Sequence, residues 1–292
     1  MNVPLARALR SLEGLATGDA FGELHFSIPD LYARTVVPDG PWPWTDDTHM
    51  ALSIVEILAT QQRIDLDALA AAFVRRFQAE PWRGYGAGAF ELLHRLGSGA
   101  DWREESPALF GGGSFGNGAA MRVAPVGAYF ADDLQRVVAE ARQSAIVTHA
   151  HPEGQAGAIA VAVAAALAAQ PSGPEADSFI DAVTQLVPPS EVHSGLRTAR
   201  GIPHDRWDEA VSRLGTGARI SAQDTVPFCV WVAAYHLRDY EAALRTTARG
   251  RGDVDTTCAI VGGIVALSAS GIPSSWIERR EAISWQTPHT AL

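Results

Sequence analysis

The sequence predicts an all-α protein, on three observations. Apolar residues recur at three-to-four spacing in segment after segment. No stretch holds the period-two alternation of a half-buried strand. The segments between are rich in Gly and Pro, the residues that break regular structure. With 292 residues, 47% of them hydrophobic, the chain can bury a large core. It has no long linker and no internal repeat, so residues 1–292 are expected to form a single compact domain.

Leu5, Leu9, Leu12 and Leu15/Ala16 define a first helix, expected to end near Gly18-Asp19. Leu52, Val55, Ile57 and Leu58 mark a second, entered through Thr45-Asp46-Asp47-Thr48. The same periodicity predicts helices over Leu66–Phe77, Ala87–Leu96, Leu134–Val147, Glu153–Ala169, Phe179–Leu186, Val226–Leu237, Tyr240–Thr247 and Thr256–Ser270. The most apolar run, Ala156–Ala169, is Ala-rich and shorter than the ~20 residues of a membrane span. It reads as a buried helix whose small side chains admit close neighbours. Pro171–Pro174 and Pro188-Pro189 are breakers. In Pro41–Trp44 the two tryptophans either wall an entrance or pack inside.

The formal net charge of -10 argues against a protein that coats nucleic acid. A small anionic ligand stays open, because a bound metal ion inverts the local field. Cys229 and Cys258 are the two cysteines and form no CxxC pair, which argues against a disulfide framework or a zinc ribbon. Met1–Leu15 spreads Arg7, Arg10 and Glu13 along a helical pattern, unlike a signal peptide. A cytoplasmic protein with no membrane association is expected.

Two acidic clusters, Thr45-Asp46-Asp47-Thr48 and Asp253-Val254-Asp255-Thr256, each precede an apolar helix. The plainer reading is N-capping. One capping residue suffices, however, so each cluster holds a surplus. If the fold brings the clusters together, the carboxylates repel strongly unless a cation lies between them. Hard oxygen donors without Cys point to Mg²⁺, Mn²⁺ or Ca²⁺. Two ions about 4 Å apart would suit four carboxylates.

Several ordered motifs then give a resemblance: Gly18-Asp19-Ala20-Phe21-Gly22, Trp44-Thr45-Asp46-Asp47-Thr48, Gly84-Tyr85-Gly86-Ala87-Gly88, Ser114-Phe115-Gly116-Asn117-Gly118 through Arg122, Thr148-His149, and Gly252-Asp253-Val254-Asp255-Thr256. Over roughly residues 5 to 270 the chain resembles the ADP-ribosylglycohydrolase family, which includes the dinitrogenase-reductase-activating glycohydrolase and the ADP-ribosyl-acceptor hydrolases. The resemblance implies an all-helical orthogonal bundle and a binuclear Mg²⁺ centre, with Mn²⁺ as the other ion. Thr45, Asp46, Asp47, Asp253, Asp255 and Thr256 are its implied ligands. The implied reaction is hydrolysis of an α-linkage at the anomeric carbon of an ADP-ribosyl group, on a modified protein, a polymer or a small conjugate such as an O-acyl-ADP-ribose. Nucleic acid enters only as a modified substrate.

For that substrate, Gly84, Gly86 and Gly88 would line the distal ribose and phosphate path. Gly113, Ser114, Phe115 and Asn117 would hold the diphosphate, ribose and adenine, since Gly-rich backbone can approach phosphate closely. Ordinary turns are the plainer reading of these loops. His149 corresponds to a family histidine near the substrate, against a plainer capping or packing role. His49 is expected on the helix surface, Arg122 inside and bracing the Gly-rich loop, and Asp19 in a supporting position. The family carries Glu four positions after the second Gly of its first motif; here Phe26 stands there and Glu23 is the nearest acid. Asp46, Asp47 and Glu23 are the catalytic candidates, and Phe26 puts both the protonation scheme and the leaving group in question. The Gly84–Gly88 motif leans toward serine-linked, polymeric or O-acetyl substrates. Rival readings are a non-catalytic ADP-ribose binder or structural protein, and another Mg²⁺-dependent helical enzyme acting on diphosphates.

Overall fold

The computed structural model describes residues 2–170 and 175–284. Among them are fifteen α-helices and no strand, the only β pairing being two isolated bridges. In chain order the helices are α1 (Val3–Ser27), α2 (Asp46–Gln61), α3 (Leu66–Ala79), α4 (Ala87–Gly97), α5 (Trp102–Ala108), α6 (Ala124–Tyr129), α7 (Leu134–Ile146) and α8 (Pro152–Ala168). They continue as α9 (Ala176–Leu186), α10 (Glu191–Arg200), α11 (Trp207–Leu214), α12 (Ala222–His236), α13 (Tyr240–Arg249), α14 (Val254–Val265) and α15 (Ser274–Arg279). The breaker at Pro171–Pro174 lies outside the described residues. No described helix is long and apolar enough to cross a membrane.

The first helix departs from its expected end. α1 runs through Gly18-Asp19 to Ser27. Gly14, Gly18 and Gly22 recur every fourth residue and so share one face. α14 lies directly on that face. A Cβ at Gly14 or Gly18 would collide with the carbonyl oxygens of Gly262 and Cys258, and at Gly22 it would come within 2.5 Å of the Asp255 Cα. These glycines serve helix contact, so they do not end the helix. α14 in turn stops at Val265, before the expected Ser270, as its last residues tighten into Leu267 N–H to Ile264 O and Ser268 N–H to Val265 O bonds.

Leu12 and Leu15 of α1, Leu52 and Val55 of α2 and Ala259 of α14 form a compact apolar cluster. Each fully buried leucine there contributes roughly 1.5–3 kcal/mol. α1 therefore carries α2 and α14 together, with both N-termini beside its C-terminal half. α8 forms a second axis. It is buried along nearly its whole length and is packed by α6, α7, α9 and α12. Trp42 and Trp44 are buried, Trp42 against Phe21 and Trp276, so they pack and do not wall an entrance. α5, α6 and α15 were not foreseen because six or seven residues hold too few turns to display a period. α10 and α11 escaped because they are short and mostly polar.

Candidate active site

Most helices that begin with an Asp or Ser cap themselves. Asp65, Asp133 and Asp239 each accept the backbone N–H three residues on, and Ser190 does the same for His193. α2 and α14 differ: their N-cap residues, Thr45 and Asp253, make no side-chain capping bond. For α2 the cap comes from elsewhere. Asp19, fully buried on α1, accepts Thr45 N–H at 3.0 Å and Thr48 N–H at 3.1 Å, and both threonine hydroxyls at 2.9 and 2.5 Å. Asp46 and Asp47 are thereby released from capping.

They face a cavity of about 500 Å³ that also receives Asp253, Asp255 and Thr256 from the start of α14. The two clusters, some 200 positions apart in sequence, thus meet on one wall. Asp47 Oδ1 and Asp255 Oδ1 are buried without a hydrogen-bond partner. Burial first, then the charges of Asp19 and Asp253, push the Asp46 carboxyl up to about 8. Burial and neighbouring aspartates push Asp47 and Asp255 well up as well. Asp19 rises to about 6, mainly through burial, against the lowering effect of its four hydrogen bonds. A buried carboxylate without compensation costs several kcal/mol. Orphaned oxygens in a mutually repelling acidic wall are the donor set that a hard divalent cation relieves. Among the described residues no three His, Cys, Asp or Glu side chains are grouped so as to hold a metal ion as they stand; the acids line the cavity wall, with Thr256 among them.

Thr45 lies behind that wall, its hydroxyl 2.9 Å from Asp19 Oδ1 and 3.0 Å from Asp47 Oδ2. Asn117 bridges to the acids, donating to Asp253 Oδ2 at 2.7 Å and to Thr225 Oγ1 at 3.1 Å. Gly84, Gly86, Gly88, Ser114, Phe115 and His149 all line the cavity. Gly113 does not: it is wedged under the start of α8, where a Cβ would come within 2.5 Å of the His151 backbone nitrogen. Glu23 is half-buried on α1, just after the Gly22–Asp255 contact and outside the cavity lining. Burial and the Asp19 charge raise its carboxyl. Phe26 is 59% exposed.

Two expectations are corrected. His49 is buried, not on the surface, with Nδ1 3.0 Å from the Tyr85 hydroxyl, because the Trp44 and Tyr85 rings cover that face of α2. Arg122 does not bind the Gly-rich loop. It donates to Ser144 O at 3.0 Å and Thr148 Oγ1 at 2.8 Å, and so braces the end of α7.

The sequence reading also missed a wall. Residues 215–221 bring Ile220 into the cavity. This loop is held by Arg219 N–H to Asp224 Oδ2 (2.8 Å) and Gly217 N–H to the Asp224 carbonyl (2.8 Å). It is joined to the Gly-rich loop by Ala222 N–H to Phe115 O (2.9 Å) and to the acids by Asp253 N–H to Thr216 O (3.1 Å). Ile220 and Phe110 are both exposed, with φ of +52° and +55°. Such left-handed conformations cost of order 1–3 kcal/mol for residues with a Cβ and persist where the surroundings impose them. With Phe115 they give the same cavity an apolar rim. The one available signal was an isoleucine stranded in a Gly- and polar-rich loop.

The family model of ADP-ribosylglycohydrolase matches residues 2–289. The chain belongs to the ADP-ribosylglycohydrolase family. It is 29% identical to human ADP-ribosylhydrolase ARH3 over 325 aligned positions, covering 93% of this chain and 88% of the human protein. It is also 27% identical to the ADP-ribosylarginine hydrolase Tri1 of Serratia proteamaculans, covering 94% of this chain and 75% of that one. A solved structure titled ADP-ribosylglycohydrolase-related protein complex superposes with a TM-score of 0.60 at 22% identity, over 96% of this chain and 94% of the other, and shares the fold. Membership supports ADP-ribosyl hydrolysis as the general activity of this glycohydrolase and ADP-ribosylated compounds as its substrates. It sets aside the diphosphate-processing rival.

Proposed function

We propose that the cavity hydrolyses the α-linkage at the anomeric carbon of the distal ribose in an ADP-ribosyl group, releasing ADP-ribose, and that the reaction depends on Mg²⁺ or Mn²⁺. The observation that carries this reading is the pair of orphaned carboxylate oxygens, Asp47 Oδ1 and Asp255 Oδ1, in one acidic wall. Asp46, Asp47, Asp253, Asp255 and Thr256, with Thr45 behind them, would hold two ions. A divalent cation there supplies Lewis acidity at neutral pH.

The chain's own groups do the rest. Asn117 fixes the Asp253 carboxylate, so that ligand is preorganised. Gly84, Gly86 and Gly88 leave a path without side chains from the acids toward Phe110. Phe115, Phe110 and Ile220 take the adenine, so that binding energy from the remote nucleotide positions the anomeric carbon. Asp47, which lines the cavity, accepts the proton of the attacking water, whereas Glu23 stands outside the lining.

The acceptor is proposed to be serine-linked, polymeric or O-acyl, on the Gly84–Gly88 motif and the similarity to ADP-ribosylhydrolase ARH3. The similarity to an ADP-ribosylarginine hydrolase makes arginine the comparison to run. Free ADP-ribose released from arginine-linked, serine-linked, polymeric and O-acetyl substrates is measured by mass spectrometry with Mg²⁺ and with EDTA. Release that depends on the metal is the expected result. Tight ADP-ribose binding without release from any of the four would favour the non-catalytic binder, the reading to which Phe26 in place of Glu points.

A further inference from the structure

His149 follows the last turn of α7 and lies on the cavity wall, with its ring nitrogens in unlike surroundings. Nδ1 is 2.7 Å from Thr148 Oγ1. That hydroxyl is buried, and its other partner is the Arg122 guanidinium, which donates to it at 2.8 Å. Arg122 is fully buried, stacked 4.6 Å from the Phe73 ring, and its hydrogen-bond partners are all neutral. A guanidinium only donates. Thr148 Oγ1 must therefore accept from Arg122, and its single proton has one acceptor among the described residues, His149 Nδ1. Were Nδ1 protonated, the buried hydroxyl hydrogen would be stranded, at a cost of about 1–3 kcal/mol.

We infer that Arg122 and Thr148 are positioning residues that lock His149 in the Nε2–H tautomer, making it a neutral hydrogen-bond donor to an acceptor oxygen of the ligand. The glycines opposite support this. A Cβ at Gly116 would lie 3.3 Å from His149 Nε2, and one at Gly118 would lie 3.1 Å from it. Two side chains that would cover the nitrogen are absent, so Nε2 opens on the cavity. Burial first, and the Arg122 charge second, lower the imidazole to about 3, which keeps the ring neutral. Among ADP-ribose groups, a diphosphate or ribose oxygen is what such a donor takes. That assignment rests on the proposed function, whereas the tautomer lock does not.

The test is long-range proton–nitrogen correlation spectroscopy on the histidine-labelled protein, without ligand and with ADP-ribose. The expected spectrum shows His149 in the Nε2–H form, with the Nε2 signal moving on addition of ADP-ribose. Thr148→Val should abolish the single tautomer and weaken ADP-ribose binding about tenfold, while Thr148→Ser stays within about twofold. Gly118→Ala should weaken binding and leave the tautomer unchanged. A wild-type spectrum with the proton on Nδ1, or a Thr148→Val protein with unaltered tautomer, overturns the lock. An Nε2–H tautomer with no ADP-ribose binding by calorimetry upholds the lock and refutes the nucleotide as ligand.

Discussion

At one end of the cavity the wall is made by the first turns of α2 and α14, pinned to α1 by a glycine face and by the four hydrogen bonds of Asp19. Elsewhere the wall is made by loops, and two of the three apolar rim residues, Phe110 and Ile220, sit in strained backbone conformations. The acid end is set by helix packing. The apolar end depends on loop-to-loop bonds such as Ala222 N–H to Phe115 O. The difference separates two tasks. On the proposed function, the buried acids would hold the cation and the loops would offer apolar surface to the base.

If the tasks are separate, substitutions at the two ends should fail differently. The largest effect is expected for Asp46→Asn or Asp255→Asn, which should lower turnover by at least about a hundredfold and weaken divalent-cation binding together. Turnover that survives in both variants would break the comparison at its acid end. Phe115→Ala should cost about tenfold in ADP-ribose affinity, in line with base–aromatic stacking, and leave cation affinity unchanged in a Mn²⁺ titration.

The pH dependence sharpens the same contrast. The carboxyls of Asp46 and Asp19 are raised in the folded state, to about 8 and about 6. The native protein then binds more protons than the unfolded chain above the ordinary carboxylate range, so stability falls as pH rises. In EDTA the melting temperature should decline from about pH 4 toward pH 8. Mg²⁺ should flatten that decline, because the cation replaces the protons. A melting temperature that rises with pH in EDTA would contradict the acid-wall account. The smallest effect is at the rim: Ile220→Gly should relieve the left-handed strain and stabilise the protein by about 0.5–1 kcal/mol in urea unfolding, while weakening nucleotide binding.

The acid end was legible in the sequence because its signal is local. Two Asp/Thr clusters, each entering an apolar helix, carry more acids than capping needs, and the structure puts the capping bonds of α2 on Asp19. The end of α1 was misread because glycine speaks for termination and for close packing alike, and the distinction lies in α14, more than 200 residues away. His49 was misplaced for a similar reason: Tyr85, which buries it, arrives from another loop. Ile220 had no periodic neighbours and no motif. Its role depends on a loop held by Asp224 and docked on Phe115, a relation visible in three dimensions alone.

The most direct test of the central claim is a Mn²⁺ titration followed by electron paramagnetic resonance, run in parallel with ADP-ribose release, on the wild type and on Asp47→Asn and Asp255→Asn. The account predicts two bound ions per wild-type chain, loss of bound Mn²⁺ in each variant, and loss of release in step. Full hydrolytic activity in EDTA, with no Mn²⁺ bound, would contradict it.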